Sequence, residues 1–185
     1  MNCRMVVAAV LVLSAMSASA QTLVNPSFEL EGAAPDMAAS WSRWGDWMNR
    51  ETGWEPVKDG TSIMAYHHWQ IEKPDNSGLY QDLTVTAGKQ YTFSIFANTD
   101  PAKDAAQDAE TVEIRLETTV GDAQSTVASK TYSFKDLASG KDWSSLRVSA
   151  TAPNDKLRVL VIVNPAKNGP RGGAVKFDQA ALTSP

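Results

Sequence analysis

The chain has 185 residues, with 21 Asp and Glu against 17 Lys and Arg and a net charge of −4. This mildly acidic balance argues against nucleic acid and anionic membrane as partners, and the length suits one domain with its own core. The only cysteine, Cys3, lies close to the N-terminus, which leaves the rest of the chain without thiolate chemistry or a cysteine zinc site.

The first element in chain order is an export signal. Arg4 precedes an apolar run from Met5 to Leu13, and small residues follow, ending in Ala18-Ser19-Ala20. This is the three-part layout of a signal peptide, and the run is shorter than the roughly 20 apolar residues of a membrane span. Cleavage is expected after Ala20, with residues 1–20 as signal peptide and 21–185 as a single mature domain. That cut removes Arg4 and Cys3, leaving 16 basic against 21 acidic residues and no thiol. The product is expected to be secreted, into the periplasm or the medium, soluble and monomeric. It can hold no disulfide, although the compartment allows one.

Strand signals dominate the mature chain. Candidates lie at 22–30, 41–48, 62–69, 78–85, 90–97, 112–117, 125–134, 146–149, 157–163 and 173–183. Tyr91, Phe93, Ile95 and Ala97 share one face of their strand, and Val112, Ile114 and Leu116 alternate against Glu113, Arg115 and Glu117. Leu157 to Val163 is apolar apart from Arg158, as for a strand covered on both faces. Turn residues separate the runs, at Ala87-Gly88, Ser139-Gly140-Lys141-Asp142, Pro153-Asn154-Asp155 and Asn168-Gly169-Pro170. The pattern predicts an all-β jelly-roll β-sandwich of two antiparallel sheets. One helical turn is expected within Pro101 to Ala109, and Asp100, Asp104 and Asp108 would form its solvated face.

Three segments carry a resemblance. They are Leu23-Val24-Asn25-Pro26-Ser27-Phe28-Glu29, then Ser77-Gly78-Leu79-Tyr80-Gln81-Asp82-Leu83 running on through Val85 to Ser94, and Val175-Lys176-Phe177-Asp178-Gln179-Ala180-Ala181-Leu182. In this order and spacing the chain resembles the galactose-binding-like jelly-roll superfamily, and within it the carbohydrate-binding modules attached to cellulases and xylanases. The resemblance implies a structural calcium ion held by Glu29 and Asp178, with Asn25 beside them. A hard cation of this kind takes several oxygen ligands, and two carboxylates supply most of the neutralising charge. The alternative is that Glu29 is a surface residue, Asp178 caps a turn and Asn25 fixes the turn before Pro26.

Five of the six tryptophans, Trp41, Trp44, Trp47, Trp54 and Trp69, fall within one short stretch. Sugars present apolar C–H faces that stack on aromatic rings, so the cluster points to a poly- or oligosaccharide ligand, with core packing as the alternative. Trp44, Trp54 and Trp69 are expected to be exposed, Trp41 and Trp143 to be core, and Trp47 is left open. Tyr66 and His67 could supply polar partners in a groove. His67 and His68 point to opposite faces of a strand, so a zinc site is not expected. Gln81, Glu113 and Arg115, with Arg158, project from apolar strands and are candidate sugar partners, or else cross-strand pairs on a solvated face.

No nucleophile elbow and no phosphate-binding glycine loop is present. A non-catalytic carbohydrate-binding module is therefore the expected function. A cell-surface or extracellular adhesion subunit that binds no glycan is the alternative. A jelly-roll polysaccharide lyase, using Tyr66, His67, Arg115 and Gln81, is the enzymatic one.

Overall fold

Period-two alternation places every second side chain on the same face, and the sequence repeats this alternation often enough to build two sheets. A computed structural model describes residues 22–45, 47–67, 76–101, 110–166 and 173–185. The expected signal peptide, the helical turn after Pro101, His68 and Trp69 lie outside these described residues.

The strands are β1 (Ser42–Trp44), β2 (Met48–Thr52), β3 (Ser62–His67), β4 (Ser77–Thr84), β5 (Gln90–Pro101), β6 (Thr111–Val120), β7 (Ala123–Ser133), β8 (Ser144–Thr151), β9 (Lys156–Asn164) and β10 (Gly173–Thr183). The first sheet runs β1-β4-β9-β6-β7 and the second β2-β3-β10-β5-β8. Neighbouring strands pair antiparallel throughout. This is the expected all-β sandwich.

Between the sheets lies one core. Leu79, Leu83, Val112, Ile114, Leu116, Val159 and Val161 point into it from the first sheet. Met64, Tyr91, Phe93, Ile95, Val175 and Phe177 point into it from the second. Phe28 and Trp41 close one side with ring centroids 5.2 Å apart, and the Trp41 indole N–H donates to the Asn25 carbonyl at 2.9 Å. Trp41 is core as expected, and Trp47 packs against the core while partly exposed. Trp143 is only half-buried and lies outside the core cluster, contrary to expectation.

Two expected strands take another form. Residues 22–30 make turns instead, because Asn25 (φ 53°) and Phe28 (φ 59°) adopt left-handed backbone that a strand does not accommodate. The stretch 41–48 is broken at Gly45 (φ 71°), so that β1 joins the first sheet and β2 the second. Glycine is required at that crossing. A Cβ there would lie 2.3 Å from the Ser77 hydroxyl oxygen and 3.0 Å from the Asn76 carbonyl.

Candidate functional site

The sandwich has two outer faces, and the chain treats them differently. The segment 53–61, joining β2 to β3, folds as a strap over the second sheet. Asp178 Oδ2, on β10, accepts the backbone N–H groups of Lys58 and Asp59, both at 2.8 Å. Glu29 Oε1 accepts those of Thr61 (2.9 Å) and Ser62 (2.8 Å), and Glu29 Oε2 accepts the Thr61 hydroxyl. Lys176 Nζ donates to the Glu55 carbonyl at 2.7 Å and sits 4.2 Å from the centre of the Trp54 ring. Trp54 also stacks on His67 at 4.9 Å, and His67 Nε2 lies 3.1 Å from Glu51 Oε1. Ile63, Ala65, His67, Lys176 and Asp178 are therefore buried on a face that would otherwise meet solvent.

The first sheet presents a different outer face, built as a register of rows across its strands. One row runs Trp44 (β1), Gly78 (β4), Ile162 (β9) and Glu113 (β6). The next runs Ser42, Tyr80, Leu160 and Arg115, and the third Asp82, Arg158 and Glu117. Trp44 lies over Gly78, and any Cβ at Gly78 would come within 1.8–2.2 Å of its ring. Gly78 is thus the seat on which the indole rests. Tyr80 follows at 6.2 Å between ring centroids, and the Arg158 guanidinium stands 4.0 Å over the Tyr80 ring.

Charged groups complete the face. Arg158 donates through Nε and Nη2 to both oxygens of Asp82, at 2.7 and 2.8 Å. Arg115 donates in the same bidentate way to Glu113, at 2.7 and 2.9 Å, and through Nη1 to Glu117 at 3.4 Å. Hydrogen bonds from Arg115 hold the Glu113 carboxyl below its ordinary pKa, against the opposing effect of burial. Leu160 and Ile162 form a buried apolar floor between the aromatic and the charged flanks. Past Arg158 the face opens into a cleft of about 300 Å³, lined by Asp82, Leu83, Thr84, Thr119, Lys156 and Leu157. An aromatic platform beside fixed hydrogen-bonding groups can grip a ligand that is apolar on its ring faces and polar at its edges.

The residues expected from sequence are divided by this geometry. Trp44, Glu113 and Arg115 share the first face, while Trp54 in the strap and His67 on β3 lie on the other. Trp44 and Trp54, expected to be exposed, are half-buried, because each ring packs on the sheet beneath it. Two further expectations are corrected. Tyr66 is fully buried in the core. Gln81 faces inward, its amide oxygen accepting Val24 N–H and its amide nitrogen donating to the Val24 and Ser40 carbonyls. Strand parity is the reason: Leu79, Gln81 and Leu83 are the inward set of β4, and Gly78, Tyr80 and Asp82 the outward one. Tyr80, Asp82 and Gly78 were missed as site residues, although the same alternation was there to find them.

The calcium expectation meets a mixed donor set. Asp178 is fully buried, and burial pushes its carboxyl up to about 6, against three backbone N–H bonds; the nearby Asp59 carboxylate adds to the rise. An ionised Asp178 with the Asp59 carboxylate nearby suits a cation in charge, while both Glu29 oxygens already accept from Thr61 and Ser62. Asn25 does not fit: its carboxamide bonds the Leu30 N–H and the Leu30 and Ala39 carbonyls, closing its own turn. Among the described residues, no group of three or more His, Cys, Asp or Glu side chains is placed to hold a metal.

The sequence matches no family model and no curated protein at a significant level. Solved structures do match, and they give the chain the jelly-roll fold of carbohydrate-binding modules. One is the module TmCBM61 in complex with β-1,4-galactotriose, with TM-score 0.61 and 14% identity over 88% of this chain and 97% of that one. Another is the Clostridium thermocellum xylanase 10B, CBM22-1 and GH10 modules complexed with xylohexaose, with TM-score 0.56 and 15% identity over 89% of this chain and 28% of that one. A cyclase from Fischerella sp. TAU is also similar, with TM-score 0.59 and 17% identity over 90% and 98% of the two chains. The fold thus serves both binding modules and enzymes. No helix among the described residues is long and apolar enough to cross a membrane.

Proposed function

We propose that this chain is an exported, non-catalytic carbohydrate-binding module that holds a poly- or oligosaccharide on the outer face of its first sheet. The carrying observation is Trp44 seated on Gly78 beside Tyr80, next to the Arg158–Asp82 and Arg115–Glu113 pairs. A sugar ring would pack its C–H face on the indole and phenol, while its hydroxyls meet the carboxylate and guanidinium groups across the apolar floor. The strap covers much of the opposite face, so the first sheet is the better platform. The galactotriose and xylohexaose complexes of similar folds support the ligand class.

Affinity electrophoresis and calorimetry against a panel of galactan, xylan, β-glucan and arabinan test this reading. Retention by at least one polysaccharide is expected, with Trp44→Ala and Tyr80→Ala each weakening it about tenfold, the equivalent of roughly 1.4 kcal/mol of lost stacking. No retention by any member, or retention untouched by Trp44→Ala, would refute it. Release of sugar products during the same incubations would instead assign the face to catalysis.

A structural calcium ion with Glu29 and Asp178 as its carboxylate ligands belongs to the same proposal. It would offset the cost of an ionised carboxylate buried on β10 and tie the strap to the sheet. Arg4, the apolar run and Ala18-Ser19-Ala20 support export.

A further inference from the structure

We infer that the glycan held on this face is neutral rather than acidic, an inference that rests on the binding face proposed above. The two arginines that could attract an acidic sugar are already committed. Arg158 meets both oxygens of Asp82, and Arg115 meets both oxygens of Glu113 and one of Glu117. Bidentate, charge-assisted pairs of this kind are among the stronger hydrogen bonds in proteins. A uronate or sulfate would have to displace a carboxylate that the fold holds in register on the adjoining residue of the sheet.

The charge balance points the same way. Across the three rows from Trp44 to Arg158, the outward residues carry two guanidinium groups against three carboxylates, those of Asp82, Glu113 and Glu117. On these rows the flanking strands add no charge: β1 contributes Ser42 and Trp44, and β7 places Thr131, Ser129 and Thr126 opposite Glu113, Arg115 and Glu117. Lys156, one residue pair further out in the cleft, brings the total only to zero. Among the described residues of these rows, an acidic polymer therefore meets no attractive field. Neutral hydroxyls need none. Each carboxylate oxygen keeps a lone pair beyond its bond to arginine, and each guanidinium keeps N–H groups that its pairing leaves over. A hydroxyl both donates and accepts, so it can bridge these groups without breaking a pair.

Retention of the full chain is measured on native gels containing galactan, xylan or β-glucan as neutral probes and polygalacturonate or alginate as acidic ones. Each is run at about 50 mM and about 500 mM NaCl, spanning Debye lengths that expose or screen surface charge. The expected result is retention by a neutral probe, changing less than about twofold with salt, and none by the acidic probes. Glu113→Gln/Glu117→Gln turns the local balance positive and is expected to gain polygalacturonate retention that high salt abolishes. Asp82→Asn, a change at an exposed residue that frees Arg158, is expected to do the same to a smaller degree. Retention of the unmodified protein by polygalacturonate at low salt, lost at high salt, overturns the inference and leaves glycan binding standing. No retention by any of the five probes, nor by arabinan, overturns the binding face itself.

Discussion

Asp178 is the residue whose chemistry departs furthest from its ordinary form. Its side chain is fully buried on β10, and burial outweighs the N–H groups of Lys58, Asp59 and Gln179 to place its pKa at about 6. The folded chain therefore binds this proton more tightly than the unfolded one. With respect to Asp178, stability is greatest below pH 3.8 and is lost as pH rises toward about 6. In chelator, the stability of the unmodified protein relative to Asp178→Asn should fall by about 3 kcal/mol across that window and stay level above it. Glu29 and Glu113, whose pKa values lie below ordinary, affect both proteins alike and drop out of the difference. Urea denaturation of the pair from pH 3.5 to 7.5 measures it, and a flat difference would mean that Asp178 ionises without cost.

At the level of elements, the strap 53–61 and the strand pair β4–β9 perform opposite tasks. The strap seals a sheet face and holds side chains in it: Trp54 stacks on His67 and covers the Lys176 ammonium. Burial holds that ammonium below its ordinary pKa, with Asp100 and Glu55 opposing. β4 and β9 instead turn Tyr80 and Arg158 outward. Trp54→Ala should thus lower stability by about 1–3 kcal/mol, through lost aromatic and cation–π contacts, and leave glycan affinity unchanged. Chemical denaturation read beside affinity electrophoresis checks both halves. Loss of glycan retention in a folded Trp54→Ala protein would move the site to the strap.

For the molecule as a whole, the question is what ties the strap to the sandwich. No thiol lies beyond Cys3, so the described domain relies on packing, hydrogen bonds and any ion it binds. An ion that binds only the folded form raises stability in proportion to the logarithm of its concentration. Added calcium should therefore raise the melting temperature at pH 7.5 by several degrees over chelator, and Asp178→Asn should abolish the response. Equal melting in calcium and chelator would leave hydrogen bonds and the Trp54 packing as the attachment, without an ion.

Much of this architecture is legible in the sequence. Alternation at Tyr91 to Ala97 and Val112 to Leu116 predicts which side chains enter the core, because parity along a strand is a local property. The apolar run 157–163 announces a strand covered on both faces, and Leu160 and Ile162 are indeed buried on its outer side. The same parity, followed one strand further, separates inward Gln81 from outward Tyr80. Composition also placed the tryptophans together. It could not divide them, because Trp41, Trp44 and Trp54 are close in the chain yet end in the core, on the first sheet and in the strap. That division follows from the crossing at Gly45 and the path of residues 53–61, which depend on contacts with Ser77 and Asp178, far off in sequence. The sequence alone determined an all-β sandwich and its inward residues. Only the tertiary structure decided which outer face the strap covers, because covering a face takes a segment whose anchors lie on other strands.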